Sequence, residues 1–288
     1  MHLLLPQAVA VACAMSYAAS NVAARLGMRH SNPVTMTLVS FTTQTVVLGA
    51  YVLLSGSIPP LSYFPAILFI GIGFIMPIVR MLTYIGVATM GASRSTALRS
   101  SHPLFGALFA ILVLREGLTP IVLTGTILVV AGTFLISWQA EDSAAAPRWW
   151  YALFPLTAAA ITGLVQPVVR FGLSSSAYPI FFAGLVGATS LVLSFTILPV
   201  IKRFQRPVWS VRGVKGLIVA ALLENLGFVL FVTAFGLAPV ATVSPLIATS
   251  PMWVVLAALL IFHRRLSWQT VTGSASIVSG TVAITLGG

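Results

Sequence analysis

Long apolar runs alternate with short polar breaks from one end of the chain to the other. Ten runs stand out, at 4–24, 33–54, 63–86, 92–113, 118–138, 149–171, 177–200, 213–235, 240–262 and 267–286. Each is long enough to cross a hydrocarbon core about 30 Å thick, which takes roughly 20 helical residues. The breaks carry turn formers: Ser31-Asn32-Pro33, Gly56-Ser57-Ile58-Pro59-Pro60, Leu118-Thr119-Pro120 and Ser174-Ser175-Ser176. The pattern also repeats. Pro103 matches Pro251, 148 residues on, and at that offset Leu98 matches Leu246, Leu118 Leu266, Gly125 Gly273 and Gly132 Gly280. Earlier in each half the offset is 145: Arg25-Leu26-Gly27 aligns with Arg170-Phe171-Gly172, and Asn21 falls opposite Gln166. The first half is therefore shorter by about three residues, a deficit the pattern places between spans 2 and 3.

The polar stretch from Glu141-Asp142-Ser143 through Pro147 separates five spans from five, giving repeats over 1–140 and 148–288. An odd number of spans per repeat turns the second copy over. The expected fold is an all-α membrane protein, ten transmembrane helices in two inverted five-helix repeats about a pseudo-two-fold axis in the membrane plane. Residues 1–24 read as the first span and not as a signal peptide, because Met1–Leu5 has no positive charge and the stretch belongs to the repeat.

Composition agrees. The chain is 58% hydrophobic and only 7% charged, where a soluble domain carries about 25% charged residues. Ten spans use nearly all 288 residues, leaving no room for a soluble domain. The net charge of +11, from 15 Lys and Arg against four acids, lies mostly at span ends, so membrane orientation accounts for it better than nucleic acid does. Lys202, Arg203, Arg206 and Arg212 between spans 7 and 8, Arg264 and Arg265 between 9 and 10, and Arg25 and Arg29 between 1 and 2 share one side. The positive-inside rule makes that side cytoplasmic and puts both termini outside. The single Cys13 can form no internal disulfide.

The repeated motif resembles the EamA-type branch of the drug/metabolite transporter superfamily. In the first copy it reads Gly91-Ala92-Ser93-Arg94-Ser95-Thr96-Ala97-Leu98, then Pro103, then Leu114-Arg115-Glu116, then Gly125 to Gly132. The second copy reads Ala238-Pro239 through Ser244-Pro245-Leu246, Pro251, His263-Arg264-Arg265, and Gly273 to Gly280. The likeness covers essentially the whole chain. It implies a secondary carrier of small metabolites, similar to YddG-type amino-acid exporters, with nucleotide-sugar and sugar-phosphate carriers among eukaryotic relatives. One departure is visible: the glutamate usual at the charged break is kept as Glu116, but Arg264 stands in the second copy. Beside Thr119, Glu116 reads as a helix-start cap, with Ser267 a substitute in the second copy.

Ionisable groups inside spans are the candidates for chemistry, since charge at mid-membrane costs about 2.5–3.5 kcal/mol on insertion scales and needs a cavity or a partner. Glu224 is the only acid deep in a span; its repeat partner is Met76. It is either a proton-coupling or counter-charge site, or it neutralises an internal arginine. Arg80 and Arg99 are the cations available. Two arginines against one acid leave a positive charge over, which favours an anion-receiving role, with Arg99 taking a carboxylate or phosphate. His102 shares the Arg99 face, three residues on, and Pro103 frees a carbonyl one turn back. The matched amides Asn21 and Gln166 face either the shared axis or neighbouring helices. Tyr17, Tyr84, Phe228 and Trp253 lie beside these groups as pocket-lining or packing aromatics, and Gln44, Thr96 and Ser244 are small-polar candidates.

The expected function is a secondary transporter working by alternating access in a bacterial inner membrane, exporting amino acids or related metabolites. Arg99 or Arg80 would take a carboxylate and Glu224 an ammonium or a proton. An exchanger of organic or phosphorylated anions is the nearest alternative, and an intramembrane enzyme on lipid phosphates a more distant one. No phosphate-binding G-x4-G-K loop, metal-ligand cluster, catalytic acid pair or nucleophile elbow is present, so neither an enzyme nor a cofactor is expected. The expected partners are a small-molecule substrate and the bilayer. One chain suffices for a pathway, and a dimer is compatible with it.

Overall fold

The computed structural model describes residues 5–56, 58, 63–109, 119–138, 149–176, 178–202, 205–262 and 268–287. The helices are α1 (Leu5–Gly27), α2 (Pro33–Ser55), α3 (Tyr63–Met90), α4 (Ala92–Arg99), α5 (His102–Phe109), α6 (Pro120–Trp138), α7 (Leu153–Ser174), α8 (Pro179–Ile201), α9 (Val211–Leu237), α10 (Val240–Ile247), α11 (Ser250–Phe262) and α12 (Trp268–Gly287). Among the described residues, seven stretches are long and apolar enough to cross a membrane, and α6 and α12 carry shorter apolar windows. The linker at Glu141–Pro147 and the charged breaks with Glu116 and Arg264 lie outside the described residues. The cap at the start of α6 is Thr119, whose Oγ1 accepts the Val122 N–H at 3.3 Å.

Spans 4 and 9, expected as continuous helices, are each broken in the middle. α4 gives way to α5 at residues 100–101, and α10 to α11 at 248–249, equivalent places just before Pro103 and Pro251. A proline there cannot donate back along the helix. In the second copy a hydroxyl takes up the carbonyl that Pro251 frees, Ser250 Oγ donating to Ile247 O (2.8 Å). At both breaks a further hydroxyl bonds back, Ser101 Oγ to Leu98 O (2.8 Å) and its equivalent Thr249 Oγ1 to Leu246 O (2.7 Å). Broken helices are tolerated at membrane depth when neighbouring groups satisfy the backbone in this way.

The inverted symmetry is visible in the packing. α6 crosses α12 where a Cβ on Gly125 would lie 2.7 Å from Gly280 O, and one on Gly132 would lie 2.6 Å from Gly273 O. Each glycine of one copy therefore meets the opposite glycine of the other, as antiparallel elements across a two-fold must. α1 lies along α9, where Ser16 and Ser20 donate to the Leu223 and Ala220 carbonyls at 2.8 and 2.9 Å. Gly27 is pressed on Leu217 as its equivalent Gly172 is on Phe69. Arg25 Nη1 donates to the Val87 and Ala88 carbonyls near the end of α3, and Arg170 Nη1 to those of Phe235 and Gly236 near the end of α9. Cations at helix C-termini are favourable there. The helix starts refine the length deficit. Pro33 and Pro179 both open helices, 146 apart, while Tyr63 and Val211 open helices 148 apart. One extra residue of the second half thus precedes α8, and two lie between α8 and α9.

Candidate functional site

Two polar clusters and one small cavity occupy the middle of the bundle. The first cluster joins the repeats. Arg80 of α3 lies 3.7 Å from Glu224 of α9, nitrogen to oxygen, and both residues are at most 6% exposed. Arg80 also donates to Ser40 Oγ and, at 2.6 Å, to Gln44 Oε1, while its guanidinium sits 4.2 Å above the Phe41 ring and 5.8 Å from that of Phe228. Gln44 Nε2 donates to Ala183 O at 2.8 Å, and Ser20 Oγ donates to Glu224 Oε2 at 3.2 Å. The one deep acid is thus engaged by Arg80 and a serine, and a salt bridge this buried is held in shape by its flanking hydrogen bonds.

The second cluster joins spans 4, 6 and 9. Gln166 Nε2 lies 2.8 Å from His102 Nδ1, and Ser244 Oγ donates to Gln166 Oε1 at 2.7 Å and stands 3.2 Å from the same ring nitrogen. The amide donates to Nδ1, so the neutral ring carries its proton on Nε2. Gly106 and Gly163 permit this approach: a Cβ on Gly106 would lie 2.9 Å from Gln166 Oε1, and one on Gly163 2.7 Å from His102 O.

Between the clusters lies a cavity of about 30 Å³. Its lining includes three repeat-equivalent pairs: Tyr17 with Thr162, Arg99 with Ile247, and His102 with Ser250. A space lined by both members of such pairs straddles the pseudo-two-fold axis, where inverted-repeat carriers bind their substrates. Its chemistry is one-sided, with the cation, the imidazole and the phenol all from the first copy. Asn21 Nδ2 donates to Thr96 Oγ1 at 3.2 Å, and both residues line the cavity. Among the described residues, two buried atoms here have no hydrogen-bond partner, the Arg99 Nε donor and the Asn21 Oδ1 acceptor. Arg99 leans over Tyr17, its guanidinium 5.9 Å from the ring centre. None of the described lining residues is acidic. A cavity this small holds about one water, less than the volume of a metabolite.

Of the residues singled out in the sequence, Asn21, Arg99 and His102 meet at the cavity, with Tyr17 and Thr96. Gln166 and Ser244 stand behind His102. Arg80, Glu224 and Phe228 form the separate cross-repeat cluster. Tyr84 packs among Ala24, Met36, Leu217 and Ala220, away from the cavity, with its hydroxyl buried. Trp253 packs against Ala18, Val87 and Ala92. Thr162, Phe231, Ile247 and Ser250 also line the cavity. All four escaped sequence reasoning, yet Thr162, Ile247 and Ser250 were reachable as the repeat partners of Tyr17, Arg99 and His102.

Comparison with known proteins bears on fold and family. A solved crystal structure superposes with a TM-score of 0.75 at 19% identity, over 98% of this chain and 96% of its own, a likeness of fold. No curated protein matches the sequence. The family model of the EamA-like transporter family matches residues 5–138 and again 149–286, once for each set of five spans. With ten spans in two inverted repeats and both halves matched, this chain is a multi-pass membrane protein that belongs to the EamA-like transporter family.

Proposed function

We propose that this protein is a secondary transporter that moves amino acids or closely related metabolites out of a bacterial cell by alternating access, binding them in the cavity on the pseudo-axis. The observation that carries the reading is the pair of unsatisfied groups in two residues that line one small space. Arg99 Nε is a charged donor without an acceptor, and Asn21 Oδ1 is an acceptor without a donor, among the described residues. Buried polar groups left unpaired are costly, so such a pair is matched to a ligand that supplies both partners. A carboxylate fits Arg99 and an ammonium fits Asn21, with Phe231 and Ile247 offering the side chain an apolar wall.

Glu224 has a different part in this reading. Its partner Arg80 belongs to the other repeat, so the ion pair latches α3 to α9. A proton delivered to Glu224 would dissolve the latch and let the repeats move, which makes the acid the coupling site and leaves the ammonium to Asn21. Neither step asks for bond-making chemistry on the substrate, so the protein acts as a carrier and not as an enzyme.

Binding to purified protein tests the site. Arg99→Ala is expected to weaken a carboxylate ligand by about 10- to 100-fold, the range of a charge-assisted hydrogen bond, and to leave the matching amine unaffected. Equal loss for both would make Arg99 structural. In proteoliposomes Glu224→Gln is expected to abolish pH-driven transport while counterflow without a pH gradient persists; undiminished pH-driven transport would remove Glu224 from coupling. The second reading, exchange of organic or phosphorylated anions, is favoured by the lack of an acid among the described lining residues. It predicts that a phosphate ester binds more tightly than any zwitterion.

A further inference from the structure

A second ligand site lies away from the axis, at the end of the bundle that carries Lys202 and Arg206. Here α2, α8 and α9 bound a groove of about 930 Å³. Its walls include Leu38 and Val39 of α2, Leu198 of α8 and Ile218 of α9. Phe195 and Ile218, six and seven residues inside their helix ends, are both exposed, so the groove opens sideways toward the bilayer. At 1.5 Å per residue these two lie about 9–10 Å inward, well into one leaflet of a core about 30 Å thick. A smaller apolar pocket of about 170 Å³, on the α3 side of α2 and α8, shares Leu38 and Leu198 with it.

The mouth is polar and held in place. Lys202, Arg206 and Trp209 rim it, and none of its described lining residues is acidic. The segment from Gln205 to Ser210 is strapped to the α1–α2 turn. Asn32 Nδ2 donates to Arg206 O (2.7 Å), Ser31 Oγ to Val208 O (2.7 Å), Ser210 Oγ to His30 O (2.7 Å), and the Val208 N–H to Thr35 Oγ1 (2.9 Å). The cations are therefore presented from a fixed backbone. They are also peculiar to one copy: the equivalent loop of the first repeat, Gly56-Ser57-Ile58-Pro59-Pro60-Leu61-Ser62, has no charged residue, and Leu61 stands where Trp209 does. Two cations and an interfacial tryptophan above paired apolar grooves match the phosphate, headgroup depth and two acyl chains of a phospholipid.

We infer that this groove binds one anionic diacyl phospholipid, its phosphate between Lys202 and Arg206 and its chains on either side of the Leu38–Leu198 ridge. The site is independent of the transport cavity.

The test uses purified full-length protein, with lipid retention read by native mass spectrometry and the melting midpoint read in parallel. The probes are phosphatidylglycerol, phosphatidylcholine with the same chains, and inorganic phosphate. Phosphatidylglycerol is expected to be retained about 30-fold more tightly than phosphatidylcholine, from two basic residues at the headgroup, and to raise the midpoint further. Lys202→Gln with Arg206→Gln, both at exposed positions, should erase the difference; Arg29→Gln, at the same end but outside the groove, should keep it. Thr42→Trp, which fills the groove, should lower retention of both lipids. Equal retention of the two lipids, a preference that survives the double substitution, or the same stabilisation by inorganic phosphate alone would each overturn the inference.

Discussion

The two repeats make the same central contact and finish it differently. Asn21 with Thr96 in the first copy and Gln166 with Ser244 in the second are equivalent amide–hydroxyl pairs, at 3.2 and 2.7 Å. In the second copy His102 crosses from the first repeat and closes the pair, so Gln166 uses both ends of its amide. In the first copy the residue equivalent to His102 is Ser250, and Asn21 Oδ1 is left buried without a partner in a residue that lines the cavity with Arg99. The same divergence recurs one layer away. Arg80 and Glu224 form an ion pair, while their equivalents Phe228 and Met76 lie in the apolar core. Duplication supplied the scaffold twice, and the unpaired or charged chemistry stands in one copy of each pair.

The largest expected effect breaks the second of these contrasts. Arg80→Phe or Glu224→Met alone leaves a buried charge uncompensated and should cost about 3–5 kcal/mol of stability. Making both changes together writes the apolar equivalents into the charged position, and it should recover stability to within about 1 kcal/mol of the wild type, since apolar replacements of buried pairs are often neutral. Denaturant unfolding in micelles measures this, and transport should stay lost in the recovered protein. A double variant as unstable as its singles would mean that the pair is structural glue.

A smaller effect separates the two amides. Gln166→Leu strands His102 and Ser244 and should destabilise the fold by about 1–3 kcal/mol. Asn21→Leu removes an acceptor that is already unpaired and one hydrogen bond to Thr96, whose hydroxyl still donates to Ala92 O. It should cost no more than about 1 kcal/mol of stability while weakening an amino acid by about tenfold. Reversed outcomes would exchange the roles of the two copies. The smallest effect concerns positions where the copies agree. Arg25→Gln and Arg170→Gln each remove a cation from the end of α3 or α9, and each should cost about 1 kcal/mol. A clear inequality between them would show that the two caps have diverged in function.

Much of this was legible in the chain, and for identifiable reasons. Spans are set by length and apolarity alone, so ten runs predicted ten spans. The repeated spacing of Gly125 and Gly132 and of Gly273 and Gly280 is consistent with a close crossing, because a Cβ at Gly125 or Gly132 would come within 2.6–2.7 Å of a carbonyl oxygen where α6 meets α12. The prolines marked where spans 4 and 9 would be disturbed, though not that each would separate into two helices, with the Ser101 and Ser250 hydroxyls bonded to carbonyls at the breaks. The matched Arg25 and Arg170 read as loop charge, and only the structure turned them into helix-end caps.

The sequence by itself determined the membrane class, the duplication, its inversion and the short roster of polar residues inside it. These follow from local hydropathy and from periodic matches, which need no knowledge of neighbours. The tertiary structure alone decided which arginine met Glu224. Arg80 and Arg99 are equally intramembrane in the sequence, yet Arg80 is brought to Glu224 across 144 residues of chain while Arg99 is left facing the axis. Pairing depends on which helix faces meet and on side-chain direction to within a few ångströms. A linear pattern records the face of each helix and carries no record of the face opposite.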